Sequence, residues 1–249
     1  MNDPQEDATP LWIAGAVVVS EARLLWWGLA IGLDTLGRWL AHLIPGRRLQ
    51  SKNVPFDADH MLERCRLFLL IALSETVFTI GTAIAEAPIS LMTLVTGTSA
   101  LLGTIALWAL SFGRSHRLIL QHLEETSNLI RTSRYAVNVL MIMVAGLIAV
   151  AVANEIVIAE PQEQVLPALS LLLGGGPILF LAAQGRYLWK ILNIRSQLHW
   201  IGGVALLLVD LTTLALPAYA ALILVGVSLA TLAILDQKMS NHQALTESP

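Results

Sequence analysis

The sequence predicts an all-α protein: a polytopic membrane helix bundle of about seven transmembrane helices, preceded by one short helix. Three observations carry this expectation. Of the 249 residues, 55% are hydrophobic and only 13% are charged, whereas an ordinary soluble domain carries roughly 25% charged residues. Apolar runs long enough to cross a bilayer, which takes ~20 residues as a helix, recur from one end of the chain to the other. The connections between those runs alternate between basic and non-basic. Lipid offers the backbone no hydrogen-bond partner, so each run must satisfy its own amides as a helix. The period-2 alternation of a membrane barrel is absent.

The N-terminal tail, 1–10, is acidic and proline-bearing. It lacks the basic start of a secretory leader, so cleavage is not expected. The run 11–19 is too short to cross alone. It reads as a half-length helix entering one leaflet, a stub packed on the bundle, or the start of one long tilted helix, and a short helix with a break near Ser20 is preferred. Seven spans follow, at 24–44, 67–85, 89–112, 135–158, 166–188, 198–216 and 218–235. The transmembrane domain therefore covers 11–236, and 237–249 is a polar tail. No connection is long enough to fold as a separate soluble domain.

Lys and Arg in short loops set orientation. Loop 45–66 holds Arg47, Arg48, Lys52, Arg64 and Arg66; loop 113–134 holds Arg114, Arg117, Arg131 and Arg134; loop 185–197 holds Arg186, Lys190 and Arg195. The turn at Glu86 and Pro88, the segment 155–165 with Glu155, Glu160 and Glu163, and the turn at Pro217 have no basic residue. The alternation places the basic loops and the C-terminus in the cytoplasm of a cell membrane. Within loop 113–134, Leu118, Ile119, Leu123 and Ile130 sit among polar residues, as in helix extensions that touch the membrane surface.

Several function classes are disfavoured. No basic block suits nucleic acid, and the single cysteine, Cys65, excludes an intrachain disulfide. No phosphate loop, nucleophile elbow or Cys-x-x-Cys occurs, so no enzyme and no cofactor is expected. His60 and Glu63 are one turn apart, but no further ligands accompany them, and no metal is expected. The bilayer is the expected partner.

Three carboxylates fall inside predicted spans: Asp34, Glu75 and Asp210. Each costs roughly 2.5–3.5 kcal/mol at the centre of a lipid-embedded helix on insertion scales. Such residues face water or the bundle interior, or are hydrogen-bonded packing residues. Glu75 has the strongest context. At ~100° per residue, Arg64, Glu75, Thr79, Thr82 and Glu86 share one helix face, opposite Leu69, Leu73, Val77 and Ile80. The next span is rich in small and hydroxyl residues, and its Ser99 and Gly103 form a small-xxx-small pair expected to pack against the Glu75 helix. Gly174-Gly175-Gly176-Pro177 interrupts a later span, either as an unwound segment or as a kink stabilised by neighbours. Asn138 and Asn154 are suited to hydrogen bonds between helices.

The stretch from His60 to Glu75, HMLERCRLFLLIALSE, resembles the most recognisable motif of the bacterial low temperature requirement protein A family. There a His-x-x-Glu-Arg at the membrane surface leads into an apolar run ending in Gly-Glu. His60, Glu63, Arg64, Leu67, Phe68 and Glu75 match, and Ser74 stands for the glycine. Ala145-Gly146-Leu147-Ile148, the Gly175-Gly176 helix and the closing hydrophobic pair are also similar. The resemblance implies a bacterial inner-membrane protein corresponding to the second half of the family's architecture, without the acidic Glu-Leu-Phe-type motif of the first half. A histidine that members tend to carry after the tyrosine equivalent to Tyr135 is missing, the nearby polar residue being Asn138. Both differences imply self-association or pairing with a complementary membrane chain.

Two functions follow. One is a transporter or channel-like protein for a proton, a cation or a small solute, with Glu75 as the gating carboxylate, Arg64, Glu63 and His60 at the cytoplasmic mouth, Thr79 and Thr82 along the path, and Asp34 and Asp210 as secondary polar sites. The alternative is a non-transporting scaffold or stress-tolerance factor acting through a partner chain or a homo-oligomer.

Overall fold

The computed structural model of the chain describes residues 9–18, 20–40, 58–113, 129–192 and 197–246. It is all-α there, with no strand among the described residues beyond one isolated bridge, Gln164 with Pro217. The helices are α1 (Thr9–Val17), α2 (Ser20–Leu40), α3 (Ala58–Glu86), α4 (Leu91–Phe112), α5 (Leu129–Ala159), α6 (Pro167–Leu173), α7 (Gly175–Leu192), α8 (Gln197–Thr213) and α9 (Ala218–Thr246). Five helical stretches are long and apolar enough to cross a membrane: His60–Glu86, Leu91–Phe112, Tyr135–Ala159, Pro167–Lys190 and Ala218–Met239. The expected span 198–216 is a shorter apolar helix, Leu198–Thr213. The expected span 24–44 begins as the 21-residue α2. The core of 114–128, and with it the reading of a surface-lying connection there, lies outside the described residues.

The chain divides into two compact units, Met1–Pro55 and Phe56–Pro249. In the first, α1 ends at Val17 and α2 starts at Ser20, so the break falls where the sequence places it. Gly15 is buried and seats α1 against the indole of Trp27. The Arg23 guanidinium lies 5.7 Å from the centre of that ring, a cation–π arrangement that keeps its charge on an aromatic face.

In the second unit, α5 is the central element, packing against both α3 and α7. Its buried line, Val139, Met143, Leu147, Val150, Ala153 and Val157, advances by three and four residues, the spacing of one helical face. α3 contributes Leu69, Leu73, Ile80 and Ala83, and α9 contributes Ala221, Leu222, Val225, Leu229 and Leu232. The α5–α7 crossing is a backbone-to-backbone contact. A Cβ added at Gly146 would lie 2.8 Å from the Gly176 carbonyl oxygen, and one added at Gly176 would lie 2.9 Å from the Gly146 carbonyl oxygen.

Ser99 and Gly103 do mediate a close approach, but to a different helix from the one expected. Gly103 faces the Gly226 Cα, and a Cβ on Gly226 would meet the Ser99 carbonyl at 3.4 Å. The small residues of α4 are spent on α9, and bulkier contacts join α4 to α3, with the Ile84 side chain seated over Gly97. The glycine run before Pro177 is a local break and not an unwound segment. Gly174 is a right-handed helical residue (φ −93°, ψ −43°). Its amide still donates to Ser170, and its carbonyl still accepts from Ile178.

At the end carrying Pro161 and Pro217, two connections are stitched together. The Ala218 amide donates to the Glu163 carbonyl (2.8 Å), and the Tyr219 amide donates to the Pro161 carbonyl (2.9 Å). These bonds fix the start of α9 beside the connection that leads into α6.

Glycine substitutions separate the two kinds of contact. Gly146→Ala should lower stability by about 1–3 kcal/mol, because rigid backbone cannot yield to the added carbon. Gly103→Ala, whose nearest atom would be 3.9 Å away, should be close to neutral. Thermal unfolding in detergent measures both.

Candidate functional site

The site is built on α3. Glu75 lies eleven residues before Glu86, the last residue of α3, or about 16 Å along the axis, which is mid-span. Its side chain is exposed, as are those of Ser74, Thr82 and Glu86, with Thr79 half-buried. α3 is the least covered of the five long apolar spans. The polar stripe thus points away from the Leu69–Leu73–Ile80 face that packs into the unit. Its hydroxyls are committed locally: Ser74 donates to the Leu70 carbonyl (2.8 Å), Thr79 to the Glu75 carbonyl (2.9 Å) and Thr82 to the Thr79 carbonyl (2.9 Å). A hydroxyl that has given its proton to its own helix keeps its lone pairs. What this face offers outward is a set of oxygen acceptors around one carboxylate.

At the basic end of α3, His60 Nδ1 approaches Glu63 Oε2 at 3.8 Å, with both side chains largely exposed. A pair in that setting is worth ~0–1 kcal/mol. Glu63 and Arg64 are exposed. Arg66 stacks its guanidinium 5.7 Å from the Phe112 ring, tying the start of α3 to the end of α4. No group of three or more metal-ligating side chains occurs among the described residues.

Asp210 is in a different setting. It accepts a hydrogen bond from Ser170 Oγ (3.1 Å), and Ser170 in turn lies 3.3 Å from Thr213 Oγ1. Its carboxyl group rests on Gly174, where any Cβ would collide with it. This carboxylate therefore locks α8 to the α6–α7 break. No contact between Asp210 and Glu75 is recorded. Asp34 falls in α2, and its side chain lies outside the described residues, as does any relation between that unit and α3.

Asn154, and several residues not singled out in the sequence, carry further buried polarity. Asp236 is 3% exposed within α9, just past the expected span, with its Oδ2 near Gly113. Gln184 donates from Nε2 to the Leu110 carbonyl at 2.8 Å, bridging α7 and α4. Tyr135 and Tyr187 stack with ring centres 6.1 Å apart. Asn154 is 3% exposed, and its Nδ2 has no partner among the described residues. An amide in an apolar span is the only sequence signal of such bonds, and it does not name the partner.

Comparison with known proteins adds the family. The sequence profile of the bacterial low temperature requirement A protein (LtrA) matches residues 8–234. The chain belongs to the LtrA family. It is also 25% identical over 238 residues to the uncharacterized protein RA0937 of Rhizobium meliloti (strain 1021), covering 94% of this chain and 58% of that protein. The LtrA chain thus spans a little over half the length of this curated relative. No solved structure matches it. Membership together with the five long apolar helices makes this an integral membrane protein of the LtrA family.

If Asp210 is a packing residue, its charge is dispensable and its acceptor is not. Asp210→Asn keeps an acceptor for Ser170 and should unfold within about 0.5 kcal/mol of wild type. Asp210→Leu strands the buried Ser170 hydroxyl and should cost about 1–3 kcal/mol. Guanidinium or thermal melts in detergent distinguish the two.

Proposed function

We propose that this LtrA-family protein moves protons or small cations across the cell membrane, with Glu75 as the binding carboxylate. One observation carries the reading: a mid-span carboxylate stands on an outward face whose nearest polar groups are hydroxyl oxygens with free lone pairs, with Arg64 and Glu86 toward the two ends. A charge left in hydrocarbon at that depth is costly, so in the membrane this face meets water or polar groups and not acyl chains. An acceptor-rich surface with one negative charge suits a proton or a hard cation and repels anions. Glu63 and Arg64 stand at the basic end of the same helix, which the loop charges assign to the cytoplasm together with the C-terminus.

The scaffold reading has its own support in Asp210, which is spent on holding α8 to the α6–α7 break. It treats Glu75 as a contact residue for a second copy or another membrane chain. Proteoliposomes separate the two. On the transport reading, purified protein should carry proton or monovalent-cation flux, Glu75→Gln should reduce it to the level of empty vesicles, and Asp210→Asn should leave it intact. Equal flux from wild type and Glu75→Gln would overturn that reading. A second check uses the single cysteine. In a Cys65→Ser background, Thr79→Cys and Thr82→Cys should react with membrane-impermeant thiol reagents if the face is hydrated, and Val77→Cys, on the opposite side of α3 and 43% exposed, should not.

A further inference from the structure

A cavity of about 20 Å³ lies in the middle of the second unit, where α4, α5, α9 and the α6–α7 break meet. Its wall includes Ser99, Asn154, Leu173 and Pro177. We propose that it is a built binding site for one water molecule, held by Asn154 and by the carbonyl group that the helix break sets free.

Three features converge there. Asn154 is 3% exposed, and its Nδ2 has no hydrogen-bond partner among the described residues. A buried amide without a partner is costly and is rarely left so. Pro177 has no N–H, so the Leu173 carbonyl, which points along the helix axis toward residue 177, lacks the donor that every other residue type would provide. Leu173 and Pro177 both line the same cavity. Ser99 supplies a third group: its hydroxyl donates to the Val95 carbonyl at 2.8 Å, which leaves its lone pairs unspent. Residues on the cavity wall thus carry one orphan donor and two acceptors.

The chemistry and the size select the ligand. A water molecule needs about 10–15 Å³ of such space and two to four polar partners, and buried waters typically make about three hydrogen bonds. Here it accepts from Asn154 Nδ2 and donates to the Leu173 carbonyl and to Ser99 Oγ. The volume has no room for a solute. A cation would repel the orphan N–H and find too few oxygens, since hard cations take about six. The water joins α5 to α6–α7 at the one carbonyl that Pro177 leaves without its helical donor, so it stabilises the break that Pro177 creates. The site does not depend on the transport reading of Glu75.

A double-mutant cycle and one structure test this. Asn154→Leu removes the donor and fills the space, stranding the Leu173 carbonyl, and should lower the melting temperature in detergent by about 2–4 °C. Pro177→Ala restores an N–H to that carbonyl, so adding it to Asn154→Leu should recover part of the loss. Additive effects, or a rise in melting temperature with Asn154→Leu alone, would mean a dry cavity and overturn the proposal. An experimental structure of the wild-type protein that resolves buried waters should show one within hydrogen-bonding distance of Asn154 Nδ2. Empty density there, or density that exchanges for a heavy monovalent cation, would also overturn it.

Discussion

The second unit depends on one contact: the crossing of α5 and α7 at Gly146 and Gly176, where each backbone lies against the other's carbonyl. Apolar helices in lipid have little hydrophobic reason to associate, because acyl chains are as apolar as leucine. Association rests on close packing, and two facing glycines allow the closest approach available. With α7 pressed onto α5, Phe180 is fully buried against Gly146, and Leu147, Val150, Ala153 and Val157 become the spine against which the rest is built. The glycine run at 174–176 then has two duties. Gly176 meets α5, and Gly174 gives way to the carboxyl of Asp210 on α8. A single short stretch fixes three helices.

Two of the described intramembrane carboxylates, Asp210 and Glu75, illustrate opposite treatments of the same cost. Asp210 stands three residues before the end of α8, close to the connections at Pro161 and Pro217, and is met by Ser170 and the Gly174 backbone. Its hydrogen bond from Ser170 offsets part of the cost of taking it out of water. Glu75 stands mid-helix, and the only hydroxyls near it have given their protons to α3 carbonyls. Among the described residues no hydrogen bond or ion pair offsets its charge. A group retained at such cost, on the least covered of the long helices, is a better candidate for work than one that closes a packing gap.

Much of this was legible in the sequence, because lipid imposes simple rules. Run lengths located the long helices, and the Ser20 break followed from an apolar piece too short to cross. The 100° periodicity of α3 placed Glu75, Thr82 and Glu86 together, and the structure leaves all three exposed with Thr79 half-buried between them. What a one-dimensional pattern cannot carry is which helix lies beside which. Ser99 and Gly103 announced a close contact, but not that α9 would be the partner. Asp210 and Glu75 read alike as acidic residues in apolar spans, and only the approach of Ser170, forty residues away in sequence, separates them. Asp236 was passed over because the apolar run ends one residue earlier.

The break before Pro177 shows how a helix interruption can be tolerated inside a membrane domain. Proline removes a donor and glycine lowers helical preference, yet the Gly174 amide and carbonyl keep their bonds to Ser170 and Ile178. The defect is reduced to one carbonyl, that of Leu173. Polar groups cluster around it in an otherwise apolar interior: Asn154 on α5 and Ser99 on α4 line the same small space. A defect placed at random would face leucines. One that faces an amide, a hydroxyl and a water-sized void has been matched by its neighbours, and the match ties the interior of α4 and α5 to the geometry of the break. Movement at the break would therefore disturb the amide and the hydroxyl together, adding a polar point to those that Ser170 with Asp210 and Gln184 with Leu110 already give α6 and α7.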